Sequence, residues 1–277
     1  MRIIAVNEGD SAAMTASPAC VLTLPVTNLQ TQSRALVMRT TGLADQVINL
    51  SWGSTPKVMS GVAIVRHNLT SQATWRVQVY SDAAMATQVY DSSPVLVNPP
   101  KTLGDLEWGV DPLGASIFNG WALAFGVLWL PAPAVGQSAR ITLSDPANPA
   151  GYMQASRLFI GRVIEPMFGP DYKGLAVSWE ENTVQTRTAG GTLRSDPTEP
   201  YRKVSIQLSW IQEQDRPKLF DLSRTCGKRN DLFLSVFPGT GGMRERDYAL
   251  AAKLVGVPKY GAPFYSAYDA SFDFEES

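Results

Sequence analysis

The stretch that most constrains this chain is residues 61–80. Gly61-Val62-Ala63-Ile64-Val65 is an apolar run of strand length, rich in β-branched residues. Residues 67–74, His-Asn-Leu-Thr-Ser-Gln-Ala-Thr, then give a turn-like opening to a second run. In that run Trp75, Val77 and Val79 fall on one face of an extended chain, with Arg76 and Gln78 on the other. A period of two cannot lie still as a helix, so the stretch commits the chain to β-structure. The short separation suits an antiparallel pair within a sandwich.

The remaining strand signals agree. Residues 35–40, 46–52, 88–97, 125–130, 139–143 and 152–161 read as strands, divided by Gly and Pro turns. Gly 22 and Pro 19 in 277 residues supply those turns, and 44 % apolar residues supply a core. Residues 98–119 form a long punctuated loop carrying Trp108, the kind of segment that serves recognition. Residues 1–14 read as an N-terminal arm, and 15–165 as a first β unit that ends at a Pro/Gly-rich join, residues 166–170.

The second unit, residues 170–277, alternates clearly. Leu175, Val177 and Trp179 share a face, with Ser178 and Glu180 opposite. Val204, Ile206, Leu208 and Trp210 are expected on one face of the best strand, with Lys203, Ser205, Gln207 and Ser209 on the other. Asp215, with Pro217 behind it, is placed to cap a helix that brings Leu219, Leu222 and Cys226 to one side and stops at Gly227. Residues 232–237 read as a buried strand, and Phe272 and Phe274 belong to a closing strand.

Chemistry is scarce. The single histidine, His67, rules out a multi-His metal site and leaves it as the sole imidazole for a triad. No nucleophile motif accompanies it, so a hydrogen bond at the turn is the better account. The two cysteines, Cys20 and Cys226, make no C-x-x-C and are expected as reduced thiols. Gly239-Thr240-Gly241-Gly242 follows a strand and has the composition of an anion cradle, but no Lys stands at P-loop spacing. A plain turn is the preferred reading. The pairs Glu180-Glu181 and Glu275-Glu276 read as solvated edge charges rather than a glycosidase dyad.

A net charge of −1 gives no general attraction to nucleic acid or to an anionic bilayer. The basic cluster Arg216, Lys218, Arg224, Lys228 and Arg229 reads as a solvated helix face. No apolar run reaches the ~20 residues of a membrane span, so no membrane insertion is expected. Trp108, Trp121 and Trp129 offer either a sugar-stacking platform or core and interface anchors.

Two sets of residues carry a resemblance. Residues 25–29 (Pro-Val-Thr-Asn-Leu), 61–69 (Gly-Val-Ala-Ile-Val-Arg-His-Asn-Leu) and 155–161 (Ala-Ser-Arg-Leu-Phe-Ile-Gly) resemble the galactose-binding-like jelly roll. The second half is similar to the β-barrel domains of tailed-bacteriophage tail-tube and distal-tail proteins, on the strands at 175–188 and 202–210, the helix at 216–226 and the closing run 272–276. The resemblance implies a mainly β chain: an N-terminal jelly-roll sandwich and a C-terminal barrel or sandwich domain with one helix. As function it implies a structural virion protein at a siphophage tail tip, made in the host cytoplasm. It would form a distal-tail or baseplate ring of three or six copies, with other tail proteins as partners and DNA passing unspecifically through the lumen. The alternative is a carbohydrate-binding or adsorption module that touches a host-surface glycan through Trp108 and Trp121. Neither reading calls for an active site, a cofactor or a metal.

Overall fold

Alternation along residues 74–80 does put Trp75, Val77 and Val79 inside, each no more than 1 % exposed. In the computed structural model, which describes residues 1–118, 121 and 123–277, they lie in the strand Thr74–Tyr80. Asn119, Gly120 and Ala122, at the end of the expected loop and the start of the apolar run 121–130, lie outside the described residues. The chain divides into two compact units: Met1–Glu165 with Leu232–Ala251, and Pro166–Asp231 with Ala252–Ser277.

The first unit is a β-sandwich of jelly-roll type. One sheet runs Ala13–Ser17, Gln46–Ser51, Ser138–Ser144, Thr74–Tyr80, Gln88–Asp91, with Val95–Leu96 also paired to Thr74–Tyr80. The other runs Arg157–Gly161, Lys57–Val65, Phe125–Gly136. Register fixes the inner face: Ile141 pairs Ile48 on one side and Val77 on the other. These side chains, with Trp75 and Val79, meet Val62, Ile64, Leu158 and Ile160 of the second sheet in one core.

Residues 61–65 and 74–80 are therefore not an antiparallel pair. They belong to opposite sheets, and residues 66–73 carry the chain across the core. The unbroken apolar run has a separate cause. The second sheet is covered on both faces, since Ala63, Val65, Phe125 and Phe159 pack with Ile4, Ile117, Phe118 and Phe233 in a further cluster. A strand buried on both faces needs apolar residues at every position.

Within residues 1–14, Arg2–Ile4 forms a strand between Val163–Ile164 and Leu232–Ser235. The strand expected to end at Pro131 continues to Gly136. Its pairing with Lys57–Val65 jumps from Met59↔Ala134 to Gly61↔Trp129, so Pro131 and Pro133 sit exposed in the irregularity, where no ladder bond is asked of them.

In the second unit Leu175–Glu180, Tyr201–Gln212 and Ala267–Glu276 pair in that order. Lys259–Phe264 and the segment 252–254 both pair with Ala267–Glu276. Among the described residues no sheet closes on itself, so the expected barrel is corrected to an open antiparallel sheet with a separate exposed hairpin, Val184–Arg187 with Leu193–Asp196. Closure needs a last strand paired with the first, and Leu175–Glu180 pairs on one side only. The helix Arg216–Cys226 buries Leu219, Leu222 and Cys226 as its spacing requires, and Gly227 ends it at φ 50°. Asp215 stands at its N-cap without making a cap bond. Its carboxylate accepts from the Met167 N–H at 2.9 Å and from Lys218 at 2.8 Å. A second helix, Gly242–Tyr248, was not expected from the sequence.

Trp210 departs from the expected face. The register of Tyr201–Gln212 slips between Leu208 and Ile211, a bulge that advances the alternation by one. Ile211 turns inward at 5 % exposure, and Trp210 turns outward at 57 % with φ 61°. Trp210→Ala is accordingly expected to cost under about 1 kcal/mol, far less than a core tryptophan. A urea melt with a midpoint near wild type checks this, and a large loss would return Trp210 to the core.

Candidate functional site

The loop at 98–118 is tied at its root and across its span by its own hydrogen bonds and one ion pair. At its root Asn98, fully buried, donates from Nδ2 to the Leu69 carbonyl at 3.0 Å. Pro100 bridges to Ser116, and the Lys101 N–H donates to the Ala115 carbonyl at 2.8 Å. Across the loop the Lys101 ammonium meets Asp111 at 2.6 Å, with both side chains mostly covered. The same carboxylate accepts from the Glu107 N–H at 3.0 Å. The Lys101 hydrogen bond, then the Glu107 N–H, hold the Asp111 carboxyl below the usual carboxylate range.

This brace sorts the loop's apolar residues into two sets. Leu106, Ala115, Ile117 and Phe118 are buried. Leu103, Trp108, Val110 and Leu113 point outward, and Trp108 is 80 % exposed. Outward side chains of this kind bury little apolar surface within the chain itself.

The three tryptophans are not one platform. Trp108 stands in solvent. Trp121 is half-buried against the second core cluster, with the Arg246 guanidinium 4.1 Å above its ring. Trp129 packs on Gly61, where a Cβ would come within 2.8 Å of the indole. It also lines a cavity of about 260 Å³ with Val97, Phe118, Phe125, Val127 and Glu245. The polar groups around this cavity are used within the chain. Glu245 accepts from the N–H groups of Gly239 and Gly241 at 3.2 and 3.0 Å, and Arg246 donates to the Ile117 carbonyl at 3.0 Å.

That arrangement answers the question of the anion cradle. Gly239, Gly241 and Gly242 all have positive φ, the geometry of a nest, and the anion in it is the chain's own Glu245. His67 has a structural role at the turn. Its Nδ1 accepts from the Leu69 N–H at 3.2 Å. Beside it Asn68 donates to the Tyr152 carbonyl at 2.9 Å and accepts from the Gln154 N–H at 2.7 Å. Burial lowers the His67 pKa to about 4, against backbone hydrogen bonds at Phe125 and at His67 itself that favour the charged form.

Between pH about 6.5 and about 4 the unfolded chain therefore takes up a proton that the folded chain refuses. Stability at this residue is full above pH 6.5 and is lost as pH falls toward 4, by up to about 3 kcal/mol. His67→Gln should lack this slope. Urea midpoints of both proteins at pH 7 and pH 4 check it, and parallel losses in the two would refute it.

Burial pushes the Cys226 thiol up to about 11 and raises that of Cys20, so neither offers a thiolate at neutral pH. Among the described residues no group of three His, Cys, Asp or Glu side chains is placed to hold a metal. Three of the basic helix residues have an acidic neighbour: Arg216 with Glu213 at 2.8 Å, Lys218 with Asp215 at 2.8 Å, Arg224 with Asp221 at 3.1 Å. No described helix is long and apolar enough to cross a membrane.

A scan of family models and a search of curated proteins each return no match. Solved structures are similar to part of the chain, several of them carbohydrate-binding modules. A chitosan-binding module from a Paenibacillus chitosanase/glucanase is 12 % identical with a TM-score of 0.38, covering 57 % of this chain and 99 % of the module. The family 32 module of NanJ from C. perfringens, solved with galactose, is 10 % identical at 0.38, covering 58 % and 98 %. The corresponding module of AlyQ is 18 % identical at 0.34, covering 53 % and 92 %. Likeness at this level does not carry a ligand over to this chain. None of eight such structures is a phage component. The expected bacteriophage, virion and tail-protein identity is withdrawn, because the tube-like barrel that supported it is an open sheet.

Proposed function

We propose that the chain is a non-catalytic recognition module that engages carbohydrate through the loop at 98–118. One observation carries the reading: Trp108 stands 80 % exposed on a loop whose own hydrogen bonds and Lys101–Asp111 pair hold it in place. The face of an indole is electron-rich and flat, suited to the C–H face of a sugar ring, and a braced loop loses little entropy on binding. Leu103, Val110 and Leu113 extend the surface around it. Trp121, held against the core under Arg246, serves as an anchor of this region rather than a contact.

Trp108→Ala should weaken retention on immobilised polysaccharide by about tenfold or more while melting like wild type. Unchanged retention sinks the reading. A wild-type dimer by light scattering that Trp108→Ala dissolves would assign the surface to a second copy of the chain instead.

A further inference from the structure

We propose that the second unit carries a separate site for a neutral saccharide on the outer face of its sheet. Directly opposite residues in an antiparallel sheet share a face. The register sets Gln207 and Lys259 on either side of Ser271, and Gly261 opposite Asp269. Along Ala267–Glu276 the alternate residues Ala270, Phe272 and Phe274 are buried, so Asp269 and Ser271 belong to the outer face. Together with Tyr260 these groups line a cavity of about 260 Å³.

The floor of that cavity depends on a glycine. A Cβ on Gly261 would lie 2.1 Å from Asp269 Oδ1, so any side chain there would displace the carboxylate. Tyr260, opposite the buried Ala270, borders the cavity by its backbone and turns its ring to the inner face, where it stacks on Phe220 at 4.1 Å and its hydroxyl donates to the Leu219 carbonyl at 2.8 Å. Gln207, Lys259, Asp269 and Ser271 have no side-chain partner within the described chain. They offer one anionic acceptor, one cationic donor, and an amide and a hydroxyl that do both. A ligand with a single charge would meet a like charge in this set. Neighbouring hydroxyls on a neutral ring satisfy all four.

A flat apolar surface adjoins these groups. Phe264 pairs with Ala267, two positions (~7 Å) along the strand from Asp269. Trp210 stacks on Phe264 with ring centres 5.4 Å apart and planes 5° from parallel. The two rings are 57 % and 62 % exposed. Trp210 reaches this position only through the bulge and a left-handed backbone, a conformation that a bulky residue rarely adopts. The fold thus holds a strained tryptophan outward beside a polar cleft, where an aromatic surface can take the C–H face of a ring whose hydroxyls reach Asp269 and Lys259.

This site stands on different residues from the loop at 98–118, and its test keeps the two apart. Maltohexaose, cellohexaose and chitohexaose are titrated into the full chain by calorimetry and by saturation-transfer NMR. At least one should bind wild type and Trp108→Ala alike, with saturation reaching the ring C–H protons. Trp210→Ala, Asp269→Asn and Gly261→Ala should each weaken that binding about tenfold or more. Trp210→Ala and Asp269→Asn leave the core untouched, so their melting points verify that the loss is not unfolding. Binding by none of the three sugars, binding that survives both of these variants, or binding lost in Trp108→Ala alone would overturn the proposal.

Discussion

Replacing Trp75 with alanine is expected to destabilise the protein by about 3–5 kcal/mol, among the largest single losses in the chain. The ring is 1 % exposed in the first sheet, and its strand partner across the ladder is Leu143, also buried. It packs in the core shared by both sheets of the sandwich, so the cavity left by truncation is walled by two layers that cannot both collapse into it. Trp75→Phe should cost much less. It retains most of the volume and removes an indole N–H that is buried without an acceptor. Urea denaturation of the two variants separates the effects. Equal losses would show that the N–H, or the ring's exact width, matters more than filled volume.

Glu276→Gln is expected to cost about 3–5 kcal/mol in the second unit. The carboxylate holds Arg202 in three ways: from Nη2 at 2.5 Å, from Nε at 3.0 Å and from the Arg202 backbone N–H at 3.1 Å. The side chains are 4 % and 1 % exposed, so loss of the anion takes a carboxylate partner away from a buried guanidinium. Glu275, one residue earlier and outside this pair, is the control. Glu275→Gln should cost under about 1 kcal/mol. The double variant Arg202→Met/Glu276→Leu should be more stable than Glu276→Gln, since it removes the buried charge as well as its partner. Thermal melts of the three proteins test the order, and a harmless Glu276→Gln would show the pair to be solvated. The sequence placed Glu275 and Glu276 together at a solvated edge. Only the pairing of Tyr201–Gln212 with Ala267–Glu276 brings Arg202 to Glu276 and separates the fates of the two neighbours.

The candidate site was partly legible. Trp108 stood out because a large aromatic in a loop full of Gly, Pro and Asp has no strand or helix to bury it. Trp121 looked equivalent, whereas in the structure it is half-buried against the core beneath Arg246, a residue far along the chain. The Lys101–Asp111 brace had no periodic signal, since a pairing inside an irregular loop depends on the turns between. The face bearing Gln207, Lys259, Asp269 and Ser271 had none either. Its members come from three strands, and one of them, Asp269, keeps its position because Gly261 lies opposite.

The sequence by itself determined what depends on neighbours one to four residues apart. The inward faces of residues 74–80 and 204–208, the helix over Arg216–Cys226 with its stop at Gly227, and the mainly β character all follow from local alternation and turn chemistry. Tertiary structure decided what depends on the partner. It placed residues 61–65 and 74–80 in opposite sheets and covered the former on both faces. It left the second sheet open where a barrel was expected, and turned Trp210 outward at a bulge. The reason is the same in each case. A strand's pattern states which residues want burial, whereas sheet order, closure and one-residue slips are settled by hydrogen bonds to strands far away in the chain.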